Sequence, residues 1–198
     1  MSRVSHASFR RANVFGMEES APGFDDPLGV LRACHHRIAE RLDLLERLPE
    51  YVQAHGADTA AQSAAQRVLN YFERAAAHHH ADEEENLFPM LREARGRPGW
   101  DDRVLAALEQ LEAEHQRLAW HWAQVQPSLV ALARGKRGPL PRIEALIQAY
   151  HAHMKVEDDV IFPLAARLLG PAELQRLGSA MQKRRGLSDP GISGDASE

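Results

Sequence analysis

The sequence predicts an all-α protein, an up-down-up-down four-helix bundle followed by a short C-terminal helix. Three observations carry this. Apolar residues recur every three or four positions over four long stretches, the period of a helix with one buried face. Short breaks rich in Gly and Pro separate the stretches, so successive helices pack as antiparallel neighbours. Aromatic residues make up only 6% of the 198-residue chain, and few β-branched runs occur, which argues against a β core.

Residues 1–24 show no sustained period and read as a flexible arm. Residues 25–170 form the bundle, and 171–198 a short helix with a disordered tail. The first helix begins in "DDPLGVLRACHHRIAERLDLLERL", where Asp25 or Asp26 can cap it and Pro27 suits its first turn. Leu28, Leu31, Ile38 and Leu42 recur at helical spacing, and Pro49 is expected to kink or end the helix. "HGADT" (55–59) is a turn, with Asp58 or Thr59 as the next cap. The second helix is expected from Ala60 to Arg95. "GRPGWDD" breaks it and caps the third, from Asp102 to Arg134, with a late kink at Pro127. "RGKRGPLP" is the next turn, and the fourth helix covers Leu140 to Leu169. "GPAELQRLGSAMQKRR" supplies the short fifth piece, and "GLSDPGISGDASE" reads as disordered.

Charge and cysteine usage exclude several classes. The net charge of −4 offers no attraction to nucleic acid or to an anionic membrane. The single cysteine, Cys34, makes no internal disulfide, points off the ligand stripe and reads as an inert thiol. The N-terminal stretch has no apolar segment of signal-peptide length, only a faint Arg- and Ser-rich likeness to a transit peptide, and no run of about 18 apolar residues occurs. A cytoplasmic location is the expectation.

One stretch breaks the ordinary pattern. "AHHHADEEENLFPML" (77–91) crowds three histidines, an aspartate and three glutamates into an apolar frame. It has a partner 74 residues on: His79–Glu83–Glu84–Leu87–Phe88–Pro89 aligns with His153–Glu157–Asp158–Ile161–Phe162–Pro163, each reading H-x-x-x-E-[ED]-x-x-[LI]-F-P. The first and third helices also match, Leu31–His35–Arg37–Ile38–Ala39 beside Leu111–His115–Arg117–Leu118–Ala119. A helical hairpin is thus used twice, each copy supplying a lone histidine and a His-x3-Glu pair.

Helical faces sort these residues. Counting about 100° per residue from Phe72, His79 and Glu83 fall within about 20° of the core stripe that holds Ala65 and Met90. His78 falls near −120°, His80 near +80° and Glu84 near +120°, sideways or outward. On the fourth helix Leu146, His153, Glu157, Val160 and Leu164 share a stripe, with His151 opposite. On the third, Leu108, Leu111, His115 and Trp122 line up and His121 does not. On the first, Leu28, Leu31, His35 and Leu42 line up, with His36 to the side. Depth agrees. His35 and His79 centre on "HGADT", His79 and His115 on "GRPG", and His115 and His153 beside Gly135. Six residues, His35, His79, Glu83, His115, His153 and Glu157, therefore converge on one layer of the core.

A single inward histidine is ordinarily a hydrogen-bonded core residue, and a glutamate in a charged run is ordinarily solvated. Two inward carboxylates with no Lys or Arg facing them are different, because each costs several kcal/mol unless it protonates or finds a cation. Imidazole and carboxylate suit iron, zinc or manganese. Glu84 and Asp158 either orient ligand imidazoles from outside or are exposed charges. Tyr150 reads as a packed core residue, and Phe88-Pro89 and Phe162-Pro163 as shapers of the helix path.

These residues resemble the hemerythrin-like family, the HHE cation-binding domains, over residues 26–169. The resemblance implies two non-haem irons joined by an oxo or hydroxo group, with Zn or Mn as alternatives. His35 and His79 would serve one iron, His115 and His153 the other, and Glu83 and Glu157 would bridge. Oxygen-carrying members have a further histidine one turn after the third-helix ligand. Here Ala119 stands there, and Ala39 at the equivalent place on the first helix, so the two halves are expected to be nearly symmetric. The implied function is binding or sensing of O₂ or NO, or handling of oxidative and nitrosative stress. The alternatives are a di-iron oxidoreductase for peroxide or NO, or an iron donor for iron–sulfur repair. Members resembling that repair class carry a Cys-containing N-terminal region, whereas the arm here has no cysteine. A purely structural interaction bundle, its His and Glu satisfying each other, would be fully stable without metal.

Overall fold

A computed structural model of the chain describes residues 22–187. The expected arm, apart from its last three residues, and the expected tail from 188 onward lie outside them. Among the described residues every regular element is helical.

The first helix is Pro27–His55. Asp26 caps it, accepting from the Gly29 N–H at 3.0 Å, which satisfies a donor the helix leaves free. Pro49 lies inside this helix and does not end it. The second helix runs without interruption over residues 59–93, capped by Asp58, which accepts from Ala61 N–H at 2.8 Å. The third is Arg103–Ala133, with Pro127 inside it. The fourth covers residues 143–168, and the fifth is Pro171–Arg184. The expected ends of the long helices thus hold to within about three residues, the usual scatter of helix boundaries. Gly56 and Gly135 take φ of 76° and 75° at the turns after the first and third helices, a conformation that favours glycine. Each of the four long helices packs against its chain neighbours, and the first closes the ring against the fourth.

Two of these helices are not continuously α. The second contains π turns at Phe72–Ala76 and Glu83–Leu87, and the fourth at Glu157–Ile161. The last two each end immediately before a Phe-Pro pair. Proline has no N–H, and its ring collides with the carbonyl four residues back. Widening the preceding turn relieves that collision. The Phe88 N–H then reaches back five residues to Glu83 O, and the Phe162 N–H to Glu157 O. The doubled motif therefore encodes a local widening of the helix that begins at each inward glutamate. The turn at Phe72–Ala76 has no proline behind it.

A π turn holds one more residue than an α turn, so the inward face slips by one position. Straight α counting places Met90 and Val160 in the core. Instead Leu87, Leu91 and Ile161 are fully buried, Met90 is half-buried and Val160 is 46% exposed. The apolar interior falls into two bodies. One holds Ile38, Leu42, Val68, Phe72, Val125 and Leu146. The other holds Leu31, Leu87, Phe88, Leu108, Ile161 and Phe162. Between them lies a polar layer.

The fifth helix packs on the first and second helices. Its end is tied by charge. Asp82, fully buried on the second helix, accepts from Arg184 and from Arg185 Nη2, the latter at 2.7 Å. Arg184 also donates to Glu85 and Asn86, at 2.6 and 2.8 Å. A buried carboxylate stripped of its cations is strongly destabilising. Replacing both arginines with alanine is expected to lower unfolding stability by about 3 kcal/mol, the low end for a buried pair, because both arginines keep some contact with water. Urea titration of the full chain checks this.

Candidate metal centre

The polar layer is built by four helices at one depth. The first contributes His35, the second His79 and Glu83, the third His115, and the fourth His153 and Glu157. None of the six is more than 5% exposed. All six sequence-predicted residues are therefore brought together.

The imidazoles form two pairs. Nε2 of His35 faces Nε2 of His79 at 3.0 Å, and Nε2 of His115 faces Nε2 of His153 at 3.0 Å. Each carboxylate spans both pairs. Glu83 places Oε1 3.4 Å from His79 Nε2 and Oε2 3.5 Å from His115 Nε2. Glu157 places Oε2 3.1 Å from His35 Nε2 and Oε1 3.1 Å from His153 Nε2. These are close approaches without hydrogen-bond geometry, and all four carboxylate oxygens are buried with no hydrogen-bond partner.

The outer nitrogens explain how the rings are aimed. His35 Nδ1 lies 3.0 Å from Asp158, His115 Nδ1 2.6 Å from Glu84, and His153 Nδ1 3.1 Å from Glu114. An ionised carboxylate only accepts, so each of these Nδ1 atoms carries the proton and donates it. That assigns the tautomer and leaves the Nε2 lone pairs pointing inward. His115 and His153 then present two lone pairs to each other at 3.0 Å. A cation has to lie there, either a proton or a metal ion. Two nitrogens bound at about 2.1 Å to one ion and at right angles are about 3.0 Å apart, the spacing seen in both pairs. The residues present fit a pair of ions.

The electrostatics agree. Burial, followed by the charge of Glu157, pushes the Glu83 carboxyl well above the usual range. Burial pushes Glu157 up as well, but the imidazoles of His115, His153 and His35 outweigh it and hold its carboxyl low. Two desolvated carboxylates so close do not both ionise without a compensating cation. Burial pushes His79 and His80 well below the usual histidine range, so both are neutral.

Three residues of the layer escape sequence counting. His80 was expected to point sideways. Its ring instead stacks on His115 with centroids 4.1 Å apart, and its Nε2 is buried without a partner. A π turn at Phe72–Ala76 lies just upstream and breaks the straight α phase on which that expectation rests. Asp82, beside Glu83, is fully buried as well. Glu114 was passed over, although it and His153 centre on the same Gly135 break. Of the two readings of Glu84 and Asp158, the contact with imidazole nitrogens is the one seen. Tyr150 is a buried core residue against Phe72, ring centroids 5.3 Å apart, and burial raises its pKa and that of Cys34. His78 is half-buried, and His36 and His151 are exposed.

Three sets of donors have all their ligand atoms within 4.8 Å of one another: His35, His79, Glu83 and Glu157; Glu83, His115, His153 and Glu157; and His80, His115 and His153. A cleft of about 440 Å³ between the first and fourth helices, lined by Arg32, His35, His36, Ala39, Met154 and Asp158, reaches the edge of the layer at His35.

The outer carboxylates yield a prediction of their own. Glu84→Gln and Asp158→Asn, which keep shape but lose charge, are each expected to weaken metal binding by about 10- to 100-fold. Competition with a chelator of known affinity measures it, and the fold should be unchanged by circular dichroism.

Comparison with known proteins gives the same reading. An uncharacterized protein of Haemophilus influenzae is 29% identical over 164 residues, spanning 82% of this chain and 91% of that one. The model of the hemerythrin HHE cation-binding domain matches residues 26–165, a span that takes in all four long helices and every residue of the polar layer, and the chain belongs to that family.

Proposed function

We propose that this protein holds two metal ions, iron first among them, and uses them to bind a small ligand such as O₂, NO or peroxide. In this reading His35 and His79 hold one ion, His115 and His153 the other, and Glu83 and Glu157 bridge the two. A single observation carries it: two Nε2 pairs at 3.0 Å, each flanked by one oxygen of each buried, unpartnered carboxylate. Neutral imidazole and carboxylate donors suit iron, with zinc or manganese next.

A bound iron pair would supply a redox couple and coordination positions open to a small molecule. The chain's own residues set the conditions. Asp158, Glu84 and Glu114 fix three imidazoles by their Nδ1–H. The phenyl rings of Phe162 and Phe88 stack beside His35 and His115, with centroids 5.2 and 6.0 Å away, and keep water from that side of the layer. Ala39 and Ala119 supply no donor where a longer residue would. The cleft along Ala39 and His35 admits small molecules to the margin of the site. Binding or sensing of a diatomic ligand needs no further residues.

The test is metal content per chain by mass spectrometry, as isolated and after anaerobic loading with Fe(II), together with the visible spectrum on exposure to NO and O₂. About two irons per chain and a ligand-dependent spectrum are expected. Glu83→Ala and Glu157→Ala should each abolish paired binding, while His78→Ala and His121→Ala should leave it intact. Two ions retained in both glutamate variants would refute the bridging assignment. A chain that takes up no metal and melts at the same temperature with and without chelator is an interaction bundle.

A further inference from the structure

We infer that the two metal positions are unequal: the His115–His153 pair takes the first ion and holds it, and the His35–His79 pair takes the second, exchangeable one. The inference rests on the two-ion reading above and goes beyond it, since the doubled motif gives both pairs the same donors, two imidazoles and the two shared glutamates.

The difference lies outside the donor set. Three of the four imidazoles are braced at Nδ1 by a carboxylate: His35 by Asp158 at 3.0 Å, His115 by Glu84 at 2.6 Å and His153 by Glu114 at 3.1 Å. The fourth is not. His79 Nδ1 is buried and has no hydrogen-bond partner among the described residues. One pair is thus braced on both rings and the other on one ring only.

The ring protons follow from this. His115 and His153 both donate Nδ1–H outward, so two lone pairs meet at 3.0 Å and the pair has to hold a cation. His35 likewise turns a lone pair inward. His79, neutral in this buried layer, carries a single ring proton. On Nδ1 that proton would find no acceptor. On Nε2 it lies between His79 and the His35 lone pair, 3.0 Å away, which accepts it. The His35–His79 pair therefore satisfies itself with an ordinary hydrogen bond when no metal is bound. To ligate an ion, His79 has to shift the proton to Nδ1 and leave a buried donor unpaired, a costly state. His115 and His153 face no such rearrangement. Access points the same way. The cleft between the first and fourth helices, bordered by Ala39 and Asp158, meets the layer at His35, so an ion held by this pair lies beside an opening.

Anaerobic Fe(II) titration of the full chain against a chelator of known affinity tests this, together with Mössbauer spectroscopy of the singly loaded protein. Wild type is expected to load in two steps separated by at least about 10-fold in affinity, and the chelator to strip one iron well before the other. Glu114→Gln should weaken the first step and change the Mössbauer signal of the singly loaded chain, because it removes a brace from His153. Asp158→Asn should weaken the second step and leave the first step and that signal as in wild type. If Glu114→Gln does not fold, Glu84→Gln carries the test with the same expectation at His115. Two irons loading in a single step, or a first iron whose affinity and signal respond to Asp158→Asn as strongly as to the glutamate variant, would overturn the inference while leaving the two-ion site standing. A wild-type chain that takes up no iron would instead sink the two-ion reading itself.

Discussion

Two glutamates face one another in the middle of this bundle, fully buried and without a hydrogen-bond donor between them. The architecture around them is arranged to tolerate that. Carboxylates removed from water cost several kcal/mol each, and the cost is recovered only by cations close by. The layer contains no Lys or Arg. It holds imidazoles whose inward nitrogens point at the same space, which makes matters worse unless a cation joins them. A layer built in this way is poised for a cation and poor at anything else. The apolar bodies on either side make the choice sharper, because they exclude the water that could otherwise solvate the carboxylates.

The helix geometry serves the same end. A straight α-helix brings residues four apart onto one face but separates adjacent residues by about 100°. Each His-x3-Glu pair uses the first property. The π turns add what the α-helix cannot. By starting at Glu83 and at Glu157 and ending before Phe-Pro, two of them widen the helix where the carboxylate sits. The third lies upstream of the histidine run. Proline supplies the physical cause in the first two cases. The repeated motif is thus one device in which the ligand pair and the distortion that presents it are encoded within eleven residues.

Much of this was legible in the sequence, and the rest was hidden for a definite reason. The bundle, the turns and the common depth of the six residues follow from apolar periodicity and from glycine breaks, neither of which depends on exact helical phase. Outer partners such as Asp158 and Glu84 were within reach because they adjoin the motif glutamates. Met90 and Val160 depart from straight α counting together, because each lies beyond a π turn that ends before Phe-Pro and inherits its one-residue slip, while His80 and Asp82 lie beyond the π turn at Phe72–Ala76. The proline at 89 or 163 is a readable warning of that slip. For the turn at Phe72–Ala76 no local residue gives one, and the run of three histidines, only one of which an α-helix could bury fully, was the available hint. Glu114 is hidden for a plainer reason: it adjoins His115 and is only half-buried, so inward periodicity does not single it out.

The fifth helix ties these strands together. Asp82 precedes Glu83 directly, and it is a second buried carboxylate on the same turn of the second helix. Unlike Glu83 it is answered by arginines, Arg184 and Arg185, from the chain's own C-terminal helix. Two neighbouring acids thus face opposite solutions to the same problem. One is neutralised by fixed guanidinium groups, which hold their charge at any pH the protein meets. The other is left for an exchangeable ion. Had an arginine also reached Glu83, the layer would be satisfied and closed to metal. The arginine pair therefore does two things for the site. It neutralises a carboxylate whose charge would add to that of Glu157 in the repulsion at Glu83, and it pins the second helix just before the residue where the π turn begins. The site stays short of positive charge only at the positions where a metal ion would supply it.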